Sequence, residues 1–296
     1  MRENKSLRAI THTHKLQSAM EYLMTYGWAI LIISIVLAAL WQLGVFGSAS
    51  TSPKASPGAC RVSRQSVSTG GVQVALIGTC SGLLPQFATQ LGGFNSNIIV
   101  PSSGYDNFGT NSFTITAWIK TSNVVTQDIV GKAGTPGWDF ETNSVVKFVS
   151  TGDAFTATGA KTVTDGNWHF VAISATVPSG TAQLYTDGVA DGSPAPTSTQ
   201  TITNAAAMVI GSTSAGVTGF FKGTIANVQI YNTSLTASEI LALYNEGIGG
   251  APIPMPAIQD WWPLNGDTYD YGGNVNNGSP SNVIMNSTWS IGYVVP

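Results

Sequence analysis

From Tyr22 to Phe46 the chain carries no charged side chain, and that run limits its architecture more than any other feature. At a rise of about 1.5 Å per residue, a helix of this length crosses a hydrocarbon core of about 30 Å. It also exceeds the roughly 7 to 15 apolar residues of an ordinary secretory signal. Arg2, Lys5, Arg8 and Lys15 come before it, so the positive-inside bias puts the first residues in the cytoplasm and everything after Phe46 outside. Glu21 stands at the mouth of the run. A carboxylate in the first helical turn is favoured by the helix dipole, and one buried among apolar helices needs a cationic partner such as a neighbouring subunit's α-amine. The plainer reading leaves Glu21 at headgroup level on a single-pass anchor.

The composition changes after the helix. Residues 47–59, GSASTSPKASPGA, are small and proline-rich and read as a linker. Residues 60–296 are long enough for one large β domain. Only 9% of all residues are charged and the net charge is −3, which leaves no electrostatic footprint for nucleic acid. Cys60 and Cys80 are the chain's only cysteines and both fall on the exported side, where a disulfide between them is the default.

The exported part alternates with a period of two. FTITAWIK (Phe113 to Lys120), WHFVAISAT (Trp168 to Thr176), AQLYTDG (Ala182 to Gly188) and TIANVQIYN (Thr224 to Asn232) are rich in β-branched and aromatic residues and are divided by turn signals. In the first, Phe113, Ile115, Ala117 and Ile119 share one face and Trp118 takes the other. Such strands predict an antiparallel sandwich packed on both inner faces. LTASEILALYNEG, Leu235 to Gly247, reads as a helix capped by Thr236 or Ser238, with Glu239 in its first turn and Gly247 at its end.

Two resemblances attach to these residues. Lys15, Gln17, Glu21 and the apolar run resemble the class III signal peptide of archaeal type IV pilin-like proteins. That resemblance implies a basic leader at 1–16, cleavage between Leu16 and Gln17 by a prepilin-type peptidase, and a helix at 17–46 that enters a filament core with copies of itself through export and assembly machinery. The sequence departs from the family pattern at Leu16 and Ala19, with Ser18 one place early. The ordered segments GGFNSNIIVPSSG (Gly92 to Gly104), FTITAWIK, GNWHFVAIS, LYTDGV, IGSTS and FFKGTIANVQIYNTSLTASEILALYNEG resemble the concanavalin A-like, laminin-G-like jelly roll, continuously over 83–247. The implied fold class is all-β, two antiparallel sheets preceded by one long hydrophobic helix. WWPLNGDTYDYGGNVNNGSPSNVIM (Trp261 to Met285) resembles that family's opening segment but comes last. The expectation is that 257–296 returns as a permuted strand of the same domain, with strand donation to a neighbour as the rival.

No catalytic set emerges, and the chain reads as a non-enzyme. His12 and His14 lie in the leader, and His169 falls within a strand. Asp139 and Glu141 in WDFE share a face but lack the third carboxylate of the ExDxE pattern of related glycan hydrolases, and a solvated edge strand explains them equally well. Asp267, Asp270, Asn274, Asn276 and Asn277 offer hard oxygens in a glycine-rich loop, and the corresponding loop of some laminin-G-like modules binds calcium. Turn formation explains the same residues without an ion. Trp138, Tyr105 and Phe155 lie in turn-rich segments where their rings could face water, whereas Trp118, Trp168 and Trp261 read as core. Asn232, Asn277 and Asn286 head N-x-S/T sequons on the exported side. Together these features predict a cell-surface, pilin-like subunit that displays a jelly roll for adhesion or glycan binding. The alternative is a membrane-anchored lectin-like protein that does not polymerise.

Overall fold

The computed structural model of the chain describes residues 24, 26–38, 60–66, 72–78, 85, 87–104, 106–151, 155–199, 201–213, 218–253, 257–290, 293, 294 and 296, with the backbone alone at 60–66 and 72–78. The chain divides into two units, Met1–Ser52 and Pro53–Pro296.

In the first unit, residues 26–38 form helix α1. Ser34 donates its hydroxyl to the Ile30 carbonyl at 2.7 Å, so that hydroxyl is satisfied within the helix. The large apolar side chains of α1 point in every direction and all are exposed. The described helix is shorter than the predicted 17–46. Apart from Met24, the remainder of that span, including Gln17 and Glu21, lies outside the described residues, as does the leader with Leu16. Among the described residues no helix is long and apolar enough to cross a membrane.

The second unit opens with an antiparallel hairpin of β1 (Cys60–Ser66) and β2 (Val72–Gly78), in which Cys60 pairs with Gly78. Then follow β3 (Ala88–Gly92), β4 (Asn97–Val100), β5 (Phe113–Lys120), β6 (Gln127–Lys132), β7 (Gly137–Thr142), β8 (Val145–Thr151) and β9 (Thr156–Thr162). The chain continues through β10 (Trp168–Ala175), β11 (Thr181–Thr186), β12 (Val189–Pro196), β13 (Met208–Ile210), β14 (Lys222–Tyr231), α2 (Ala237–Glu246), β15 (Ile258–Trp262), β16 (Ser279–Ser281) and β17 (Ile284–Ser287). An eight-stranded antiparallel sheet runs β12-β11-β10-β5-β14-β3-β17, with β15 also on β14; a seven-stranded sheet runs β16-β4-β13-β6-β7-β8-β9.

The period of two decides which side of each sheet is core. Phe113, Ile115, Ala117 and Ile119 of β5 meet Trp138, Phe140 and Phe148 of the opposite sheet in one buried cluster. Trp118 turns the other way and joins a second cluster with Phe170, Tyr231, Ile240, Leu243 and Trp261. Helix α2 and the segment after it therefore cover the outer face of the eight-stranded sheet. Thr236 caps α2, accepting from the Glu239 N–H while Glu239 accepts from the Thr236 N–H, and Gly247 closes it at φ 79°. Strand β14 has an edge to fill beyond β3, which pairs only with Lys222 to Ile225. Strand β15 pairs with Val228 to Tyr231 on that edge, so the late segment lies within this chain's own sheet. Among the described residues of the second unit the outer face of the seven-stranded sheet carries no such cover. Along β7 and β8 inward residues are buried and outward ones half-exposed.

Candidate functional site

Trp138 and Phe140 point into the core from β7, which forces Asp139 and Glu141 onto the outer face. Strand β7 is interior, between β6 and β8, so the edge-strand reading of WDFE is corrected. Trp138 is fully buried because it occupies an inward position, and its predicted exposure is corrected likewise. Phe155 is partly buried against the core, and Tyr105 lies outside the described residues.

Register supplies the third carboxylate that spacing along one strand could not show. Asp128 on β6 pairs with Glu141 and Gly131 pairs with Asp139. Glycine at 131 makes room, since a Cβ there would stand 2.5 Å from Asp139 Oδ1. Asp128 is only 1% exposed, lies against Gly219, and finds no hydrogen-bond partner for either carboxylate oxygen. Burial, reinforced by Asp139 and then Glu141, pushes its pKa to about 8. Burial and Glu141 together push Asp139 to about 6. Glu141 is raised by burial against the pull of Lys147, its cross-strand partner on β8. A set of carboxylates on an open face with raised pKa values is a candidate ligand site.

The loop predicted to hold calcium is assembled differently. Asp270 Oδ1 accepts from the N–H groups of Trp261 at 2.9 Å and Gly272 at 2.6 Å, and its Oδ2 from Asn276 N–H at 3.1 Å. Asp267 accepts from the Tyr269 N–H and the Tyr271 hydroxyl, and Asn277 Oδ1 from the Asp270 N–H. Asn274 donates to the Gln259 carbonyl, and Asn276 donates to Ser103 and Asp260. The structure thus brings all five residues together, but their polar atoms fold the loop on itself. Among the described residues no group of three or more His, Cys, Asp or Glu side chains is arranged to hold a metal. Asp260, which sequence reasoning missed, is fully buried beneath it with Oδ2 unpartnered. Burial and then Asp270 hold its carboxyl well above the usual range.

His169 sits between two acids, Nδ1 at 2.9 Å from Asp187 Oδ2 and Nε2 at 3.1 Å from Asp165 Oδ1. Asp187 also takes the Lys161 ammonium at 2.7 Å and the Phe170 N–H at 3.0 Å. This is a clamp joining strand ends. Cys80 lies outside the described residues, and no disulfide is found among them. The sequon residues Asn232, Asn277 and Asn286 are all exposed. A depression of about 190 Å³ lined by Asn107, Phe108, Asn111, Ser112, Asn232 and Gln259 opens elsewhere on the sandwich.

The laminin G family described as the concanavalin A-like lectin/glucanases superfamily matches residues 91–241, just over half of the chain, and the chain belongs to it. No curated protein matches the sequence. Among solved structures the chain is similar to a candidate carbohydrate-binding protein from Bacteroides ovatus, at 15% identity and TM-score 0.53, over 72% of this chain and 66% of that one. It is also similar to a heptameric SAP-like pentraxin from Limulus polyphemus, at 14% identity and TM-score 0.45, over 68% and 94% of the two chains. The IT-sialidase CBM40 of Ruminococcus gnavus bound to alpha2,3 sialyllactose gives 17% identity and TM-score 0.42, over 53% and 97%. The chain thus spans just under two thirds of the Bacteroides protein. At these identities the likeness is one of fold.

Proposed function

We infer that this is a surface subunit of the archaeal pilin-like kind, which packs its N-terminal helix with copies of itself in a filament core and displays the sandwich outside as a carbohydrate-binding domain. The observation that carries the first half is α1, whose large apolar side chains between residues 26 and 38 are 49% to 66% exposed on every side. A helix apolar all round needs lipid or other helices around it, and the uncharged run from Tyr22 to Phe46 suits either. Gln17 and Glu21, placed as in a class III signal, favour a stage in the membrane followed by assembly. Membership of the lectin/glucanases superfamily and the open acidic sheet face support the second half.

The mature N-terminus, read by mass spectrometry of protein from intact cell surfaces, tests the first half. A start at Gln17 supports prepilin-type processing, and an intact Met1 leaves a single-pass anchor. Given that start, Glu21→Ala is expected to leave the protein present but abolish filaments. Unchanged filaments would refute the pairing role of Glu21.

A further inference from the structure

We propose that the outer face of the seven-stranded sheet, at the end where Phe94 and Phe220 stand, is a subsite for an uncharged sugar ring. The proposal rests on the carbohydrate-binding reading above and adds to it a place and a ligand chemistry. Three observations converge on that end of the sandwich.

Phe94 is 74% exposed although the turn carrying it is firmly built. The Gly92 N–H donates to Ser96 Oγ at 2.8 Å, Gly93 and Asn95 take φ values of 77° and 49°, and Asn282 donates to the Asn95 carbonyl at 3.0 Å. The Phe220 ring lies 6.4 Å away, tilted 51°. A phenyl ring held out into water by a pinned turn, with the half-buried Phe220 ring beside it, is a surface awaiting an apolar partner.

The backbone joins this pair to the acids. The Gly93 N–H donates to the Phe221 carbonyl at 3.0 Å, and the Asp128 N–H to the Gly219 carbonyl at 2.8 Å, so one short segment anchors both. Asp128 is the second, independent sign of a ligand. It is buried, both its oxygens lack donors, and its register puts it on the same face as Asp139 and Glu141. Asn97 Oδ1, at the start of the strand that follows Phe94, is a further buried acceptor without a donor.

A pyranose ring matches both halves of the patch. Its face offers C–H groups to the phenyl rings, and its edge offers hydroxyl donors to carboxylates that, when ionised, only accept. Lys147 balances Glu141, whereas Asp139 has no ion-pair partner among the described residues. A sugar bearing its own carboxylate meets repulsion there.

The test is an array of uncharged oligosaccharides beside sialylated and uronate-bearing ones, probed with the full chain and with Phe94→Ala and Asp139→Asn. The expected result is binding to uncharged members, weakened about tenfold or more by either substitution, with melting temperatures unchanged for Phe94→Ala because its side chain is exposed. If the wild type binds uncharged sugars and both variants bind them equally well, the site is wrong while the carbohydrate reading stands. Binding confined to acidic sugars overturns the ligand chemistry. No binding to any sugar overturns both.

Discussion

Asp128→Asn is expected to stabilise the protein, by an amount that grows with pH. The side chain keeps its shape, and a neutral amide replaces a neutral acid in the same unpartnered place, so the two forms differ only where the carboxyl of the wild type would ionise. In the fold that carboxyl titrates at about 8 rather than the ordinary 3.8, chiefly because it is buried and then because Asp139 and Glu141 face it. An acid that holds its proton more tightly in the fold than in the unfolded chain loses stability as pH rises. The loss is negligible below pH 3.8, grows through the neutral range and is complete above pH 8. At 1.36 kcal/mol per pK unit, the gap corresponds to about 4 kcal/mol at pH 7 and about 5 to 6 kcal/mol at pH 9, against less than about 1 kcal/mol at pH 4. For a domain of this size each kcal/mol moves the melting temperature by roughly 2 to 4 °C, so the pH 7 difference is roughly 8 to 16 °C. Parallel thermal or urea melts of wild type and variant at pH 4, 7 and 9 read it directly. A variant no more stable at pH 9 than at pH 4, relative to wild type, would refute the reasoning.

Two further perturbations follow from the buried polar groups. Burial works against the His169 imidazolium, but Asp187 and then Asp165 outweigh it and hold its pKa above the usual value. Its contribution is therefore complete below about pH 6.5 and fades as pH rises through the raised value. His169→Gln should cost about 1.5 to 3 kcal/mol at pH 6, the range of a hydrogen bond to a charged group, and much less at pH 9; a pH-independent cost in urea titrations would show that the charge contributes nothing. Lys132 is buried with its ammonium 2.8 Å from the buried Asp106 carboxylate. Lys132→Met should cost about 3 to 5 kcal/mol by stranding Asp106, and Asp106→Asn added to it should recover part of that loss; no recovery would place the damage in packing instead.

Local chemistry was readable in the sequence wherever it depends on near neighbours. The period of two in FTITAWIK put Phe113, Ile115, Ala117 and Ile119 on the core side and Trp118 opposite, which is where they lie. Thr236, Glu239 and Gly247 marked the ends of α2 through contacts no more than three residues long. WDFE was misread because its position in the sheet depends on β6 and β8, and no local signal distinguishes an interior strand from an edge. Asp128 was missed for the same reason. Its burial comes from Gly219, some ninety positions away, and its pairing with Glu141 from a register with a bulge between Asp128 and Val130. In the late loop, residue types alone left calcium and turn formation both open, and only the structure reveals which hydrogen bonds those polar atoms make.

Why the acids gather on one sheet follows from where the chain places its large aromatic residues. Trp118, Trp168, Phe170, Tyr231, Trp261, Trp289 and Tyr293 all belong to the outer side of the eight-stranded sheet, packed with α2 and the late segment. The Trp168 and Trp289 indoles donate to the carbonyls of Trp289 and Pro85. That face is closed by residues distant in sequence, and a carboxylate on it would have been desolvated without a partner. Among the described residues of the second unit no helix covers the seven-stranded sheet, and its outward positions along β7 and β8 are half-exposed and hold Asp139, Glu141 and Lys147. Asp128 is the exception. It is an acid on the open side that is nonetheless buried and unpaired, and the Gly219 carbonyl that accepts from its N–H adjoins Phe220, the ring beside exposed Phe94. A buried polar group without a partner is uncommon in folded proteins. Asp128→Asn and the sugar array therefore address neighbouring parts of one sheet, the melts reading the buried acid and the array the open groups beside it.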